Sequence, residues 1–479
     1  MHKVRGIALL ALALSLTTVP AQASVAAETA ACKDVPNKYN QPFQVCDDEL
    51  FIFAANYKPF ESTVDEQRQG TRVFDEIIGN RLRAAFPGVK IKYATWDLPI
   101  RYEDLKNAGV TPDIVIEDPK SRIDRDLEPL GWVGDMTADI ERAGIDLSTL
   151  NKAAVELTKS RSDGGIYGVP IFIDEHVLLY NKKIFDKFRV KYPKPGMTYD
   201  DAYKLAKKLT RDDGLDHYKG YMQHPDQYLE FNQLGLYPFQ PTTSEEPEPE
   251  EVKVDITGEG WREYTENLYR FLMIPRNGFT TVTDFLKGDM SRPGHLAMAV
   301  ETLSRLTMYA GSELFIEDGD EDSFAQYRES VDIGVSALPV FERGSKTIYQ
   351  PNTRAAFVPP AAPHREQALQ VVKWLVSEEA QTEISRHGIK AVLQTDEVVE
   401  SFGKAIPELA GIDTSAVYWG ENATIGDYEN TEFWDLPLWT VFRQHVLRDG
   451  MTPEQSLTVS QQEDIPAYIK AQADAGKDW

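Results

Sequence analysis

The sequence predicts an α/β protein of two domains, on three observations. At 479 residues the chain exceeds what one ordinary core organises. Apolar strand-like runs alternate with segments of helical spacing, which places helices on both faces of largely parallel sheets. With 42% hydrophobic and 27% charged residues, the composition is that of a water-soluble globular chain.

The first residues, MHKVRGIALLALALSLTTVPAQAS, combine basic Lys3 and Arg5, an apolar run from Ile7 to Leu16 and the small-residue exit of Ala21 and Ala23. This is the layout of a secretory signal over 1–23, too short for a membrane span. Its removal makes the formal charge more negative than the −25 of the whole chain. Such acidity disfavours nucleic acid and anionic membranes as partners. No later stretch is apolar enough to span a bilayer, so export leaves the protein periplasmic or at the cell surface. The two cysteines, Cys32 and Cys46, fall in a polar leader over 24–46. In an oxidising compartment they can close a loop worth about 3 kcal/mol of chain entropy. The rival reading is a lipidated N-terminus at Cys32, against which Thr29 stands where lipoprotein signals usually carry leucine.

After the leader, DELFIFAANY is a strand running into a loop, and TRVFDEIIGNRLRAAF a helix. VKIKYATWD is the next strand, YEDLKNAG a helix closed by glycine, and TPDIVIEDP a short buried strand ended by proline. In parallel sheets ligands collect at the carboxyl ends of strands, here Asn56 and Tyr57, Trp96 and Asp97, and Glu117 and Asp118. GGIYGVPIFIDEHVLLYNKKIFDKF, residues 164–188, reads as one apolar strand broken by Asp174, Glu175 and His176. Burying an unpaired charge is costly, so the strand must surface there or meet partners. MTYDDAYKLAKKLTRDDG is an amphipathic helix with Thr198 as N-cap and Gly214 past its end. PTTSEEPEPEEVKVD is a solvated excursion. HLAMAVETLSRL is a strand entering a helix, VDIGVSALPVF a strand, and REQALQVVKWLVSEEAQTEISRHG one long helix ended by Gly388.

Chemistry-bearing motifs are absent. The eight histidines have no metal-ligand spacing, and DGDEDS at 318–323 lacks the glycine and bidentate glutamate of a calcium loop. There is no phosphate-cradling glycine motif and no nucleophile elbow, so nothing argues for an enzyme or a cofactor. Aromatics do sit beside acids, in TWD at 95–97, YWGEN at 418–422 and FWD at 433–435. Aromatic faces pack on the C–H faces of sugars while carboxylates and amides bond their hydroxyls.

The order of segments resembles the family 1 extracellular solute-binding proteins of bacterial ABC importers, the group holding many sugar and oligosaccharide receptors. Four stretches carry the likeness: DGGIYGVPIFIDEHVLLYNKKIFDKF, KPGMTYDDAYKLAKKLTRDDG, HLAMAVETLSRL and EQALQVVKWLVSEEAQTEISRHG. The resemblance implies a two-lobe periplasmic-binding-protein-like fold, each lobe a mostly parallel sheet flanked by helices, joined by crossing hinge strands. Lobe one would hold 47–174 plus 356–412, and lobe two 175–355 plus 428–479. The crossings would fall near Ile173 to His176, near Asn352 to Ala356, and between Gly411 and Asp427.

The resemblance also implies the ligand contacts. These are Asn56, Tyr57, Glu117, Asp118, Asp174 or Glu175, and, after LAMAV, Glu301, Thr302 and Arg305. Trp434 is the stacking aromatic, with Trp419 a weaker match and Tyr221 a further candidate that equally suits a buried strand. The sequence ETLSRL lacks the aromatic that sugar receptors often carry there. For Asp174 and Glu175 the structural alternative is a salt bridge that steadies the crossing. For Glu301 and Arg305 it is a mutual helix-surface ion pair. The implied function is capture of a carbohydrate, expected to be an oligosaccharide, by a monomer that closes like a hinge and hands it to the permease subunits. The competing classes are a secreted polysaccharide-active enzyme and a receptor for a peptide or polyamine.

Overall fold

The computed structural model describes residues 30–36, 43–54, 72–95, 100–120, 122–159, 164–240, 252–277, 294–310, 329–424 and 436–474. Two sheets organise these residues. The first has six strands. In chain order they are β1 (Glu49–Ala54), β2 (Lys90–Thr95), β3 (Ile114–Glu117), β4 (Val169–Ile173), then β8 (Thr353–Phe357) and β9 (Lys390–Ala391). The second has β5 (His176–Asn181), β6 (Met298–Thr302) and β7 (Ile333–Ser336). The spatial orders are β9-β4-β8-β3-β1-β2 and β6-β5-β7.

β4 and β5 belong to different sheets, and the break between them is Asp174–Glu175. The charged interruption in the apolar run is therefore the passage from one sheet to the other. β8 makes the return journey into the first sheet and so lies antiparallel to β4, with Thr353 opposite Ile173. The same bonding continues beyond the strand ends, where the Asp174 amide donates to the Asn352 carbonyl at 2.9 Å.

Strand directions are more mixed than helix–strand alternation predicts. β1 runs parallel to β2 and β3, but β8 and β9 run against β4. β5 is antiparallel to both β6 and β7, with parallel contacts only at single bridges such as Met222 to Ala299. β8 and β5 each enter their sheet from the opposite body and run against the strands they join there.

Strand alternation sorts the cores. Leu50, Ile52 and Ala54 face one cluster while Phe51 and Phe53 face another on the far side of the first sheet. On β5, Val177 and Leu179 face the large shared cluster while Leu178 and Tyr180 face the core of the second body. That second core is rich in tyrosine: Tyr199, Tyr221, Tyr228, Tyr264 and Tyr349 are all fully buried. Tyr228 and Tyr264 stack with centroids 4.0 Å apart.

Local signals hold with two differences. Thr198 forms a capping box with Asp201 at the start of helix Tyr199–Leu209. That helix stops earlier than expected, because Arg211–Asp213 pairs with Asp216–Tyr218 and Gly214 serves the turn between them. The long helix expected over 365–388 is two helices, Arg365–Leu375 and Glu378–Arg386. Ser377, extended, accepts from the Ala380 amide and so restarts the helix after Val376. Gly388 ends it with φ of 77°, as expected.

Cys32 and Cys46 are disulfide-bonded across a two-stranded ribbon, Cys32–Val35 with Phe43–Cys46. This part of the leader is docked, since Val35 is buried in the core on the outer face of the first sheet. No helix among the described residues is long and apolar enough to cross a membrane.

Candidate functional site: the junction of the two sheets

The crossing acids are both engaged by protein groups. Asp174 accepts from the Ser304 amide at 2.9 Å and from the Ser304 hydroxyl at 2.8 Å. It thereby caps the start of helix Leu303–Ala310 from the neighbouring strand. Glu175 is buried, 1% exposed, and pairs with the equally buried Lys390 at 2.7 Å. Asn422 donates to the same carboxylate at 2.7 Å, and the Glu175 carbonyl receives the Leu303 amide. A buried charge pair of this kind persists only when its remaining lone pairs are also satisfied, as here. The steadying salt bridge is therefore what Glu175 makes, with Lys390 as its partner.

Glu117, at the carboxyl end of β3, is fully buried. Tyr102 donates to one oxygen at 2.5 Å and the Asp118 amide to the other at 2.8 Å. Burial raises its pKa to about 7, against the opposing pull of Arg122, these two bonds and Arg354. Asp118 holds the turn that follows by accepting from the Lys120 amide.

Lys120 was invisible in the sequence, yet it joins the two bodies. Its side chain is 1% exposed, its ammonium donates to the Glu230 carbonyl at 2.6 Å, and it lies 4.3 Å from the centroid of Phe231. Glu230 ends helix Pro225–Glu230, whose Tyr228 and Leu229 pack in the second core. A cation at a helix C-terminus and over an aromatic face is favourable on both counts.

On the second body Glu301 is buried with His224 at 3.6 Å. Thr302 is buried and bonded to the Ser304 hydroxyl, while Arg305 is exposed one turn along the helix. Trp419 is half-buried and packs against the cores of both bodies. Tyr221 lies in the tyrosine core, 4.5 Å from Phe271, with its hydroxyl on Gln223, the buried placement that its sequence equally suits. The KGYMQH stretch runs beside β6, so Tyr221 points with Met298 into that core. Asn56, Tyr57, Trp96, Asp97 and Trp434 lie outside the described residues. So does DGDEDS, and among the described residues no cluster of acids, histidines or cysteines could hold a metal ion.

Groups that the sequence reading passed over stand beside the crossing. His176 is 1% exposed and Gln350 is 0% exposed. Neither ring nitrogen of His176 and neither end of the Gln350 amide has a hydrogen-bond partner among the described residues. Burial lowers the His176 pKa, against the nearby charges of Glu175, Asp174 and Glu301.

The family model of the bacterial extracellular solute-binding proteins matches residues 66–270, which contain the two most specific of the resembling stretches. Among solved structures, the chain is similar to an ABC substrate-binding protein from Listeria monocytogenes in complex with cycloalternan, at 18% identity and a TM-score of 0.60, covering 89% of this chain and 99% of that one. It is similar also to a sugar transporter from Rhizobium etli in an open conformation, at 18% identity and TM-score 0.60, with coverages of 88% and 99%. The sugar-binding protein MalE from Xanthomonas citri matches at 14% identity and TM-score 0.60, with coverages of 90% and 100%. The family match and the shared fold bear out the resemblance to the family 1 extracellular solute-binding proteins.

Proposed function

We propose that the protein is the solute-capturing component of an ABC importer, closing two lobes on a carbohydrate and delivering it to the membrane permease. The observation that carries this reading is the crossing at Asp174–Glu175, where a continuous chain leaves a six-stranded sheet and enters a second one. Strands that pass between two sheets can bend at the passage while each sheet stays rigid. A ligand that touches both bodies only when they are shut then shifts the population towards the closed form by its extra affinity for it.

The lobes in this reading are 47–174 plus 356–412 and 175–355 plus 428–479. The ligand lies between them, with Asn56, Tyr57 and Trp434 as further contacts. Export by the signal at 1–23 puts capture outside the cytoplasmic membrane, and the Cys32–Cys46 bridge favours a soluble over a Cys32-lipidated form. Sugar ligands are named for several similar structures, including mannobiose and maltotetraose complexes. The engagement of both crossing acids by Ser304 and Lys390 weighs against a polyamine receptor, which would need free carboxylates there.

A thermal-shift screen of mono- and oligosaccharides tests the reading, because a ligand at a hundredfold excess over its Kd adds about 2.7 kcal/mol to stability. We expect at least one neutral sugar to raise the melting temperature and to be recovered chemically unchanged. Conversion of the sugar to products would favour the enzyme instead.

A further inference from the structure

Buried polar atoms in folded proteins almost always find a partner, so a cluster of them left without one needs a reason. Two such side chains, His176 and Gln350, flank the two passages between the sheets. The β4–β8 register pairs Ile173 with Thr353 and continues through the Asp174–Asn352 bond. His176 follows the crossing two residues after Asp174, and Gln350 precedes the return passage two residues before Asn352, next to Tyr349. His176 is paired with Thr302 of β6.

The location is the edge of the second body's core, just past the crossing. The His176 ring lies 5.3 Å from both Phe231 and Tyr349. Phe231 in turn carries the Lys120 ammonium, which arrives from the first sheet. Gln227 stands close enough to the His176 ring to act on its protonation, without full hydrogen-bond geometry to either nitrogen among the described residues. Gln223, on the same side of the second sheet, uses its carbonyl oxygen for Tyr221 and leaves its amide nitrogen without a partner.

We infer that His176 and Gln350 are the ligand-reading side chains of the hinge, and that they take a neutral hydroxyl-bearing face flanked by Phe231 and Tyr349. The inference rests on the proposed sugar-capture reading and names the groups that would carry it out. A neutral imidazole offers one donor and one acceptor, and a carboxamide two donors and an acceptor. Hydroxyls, which both donate and accept, match that set, whereas a cation would seek carboxylates that Ser304 and Lys390 already occupy. Because His176 comes just after the outgoing passage and Gln350 just before the return strand, binding there acts directly on the hinge.

The test is titration calorimetry of maltose, maltotetraose and mannobiose, with putrescine as the cationic probe, on wild type, Gln350→Met and His176→Phe. Replacing a buried polar group that lacks a protein partner by an apolar one of similar shape should leave the ligand-free melting temperature unchanged or raised. We expect at least one sugar to bind wild type, and each variant to bind it about tenfold or more weakly. Unchanged sugar affinity in both variants overturns this assignment while leaving sugar capture standing. A lowered ligand-free melting temperature in both marks the pair as structural and also overturns it. A wild-type protein that takes up none of the three sugars, with or without putrescine binding, overturns both readings.

Discussion

Glu117 shows how burial, more than charge pairing, sets the state of a single residue. Its oxygens are bonded by Tyr102 and the Asp118 amide, yet enclosure lifts its pKa from 4.5 to about 7. An acid whose folded pKa lies above its unfolded value holds its proton longer when folded. Its contribution to stability is therefore full below about 4.5 and falls away as pH rises to about 7. Glu117→Gln removes this titration. Between about pH 4 and about pH 8, urea unfolding should show the variant gaining about 2–3 kcal/mol relative to wild type. A difference that stays constant with pH would contradict the burial of an ionisable carboxyl there. The sequence placed Glu117 at a strand end, but its environment is built by Tyr102, Arg122 and Arg354, and Arg354 comes from a distant strand. Likewise His176 stood in plain view beside two acids. That its nitrogens lack partners is a property of packing, which no local pattern records.

The elements that were legible are those whose cause is local. A charged interruption in an apolar run marked the crossing, Thr198 marked a helix start, and a glycine at 388 marked a helix end. The split at Ser377 was overlooked because apolar spacing continues through it, although the Ser-Glu-Glu opening is itself an N-terminal signal. What steadies the crossing was not legible, since Lys390 on β9 is 215 positions from Glu175. Lys390→Met strands a buried carboxylate and should cost about 3–5 kcal/mol in chemical denaturation. Adding Glu175→Gln should recover much of the loss, as expected for two members of one interaction. A single variant as stable as wild type would show that the pair does not hold β9 to the crossing.

At the scale of the molecule, the two sheets meet through the crossing strands, a shared apolar cluster, Lys120 on the Glu230 carbonyl, and Trp419 packed against two core clusters. A hinge would bend at the passage, since only the second body's tyrosine core and the outer core of the first sheet lie wholly to one side of it. The first sheet takes strands from both before and after those of the second, which is why composition showed no linker. The most direct measurement of this account is small-angle X-ray scattering of the purified protein with and without the sugar that gives the largest thermal shift. Hinge capture predicts one sugar per chain and a smaller radius of gyration at saturation. Saturating sugar with unchanged scattering, or no sugar bound at all, would contradict it.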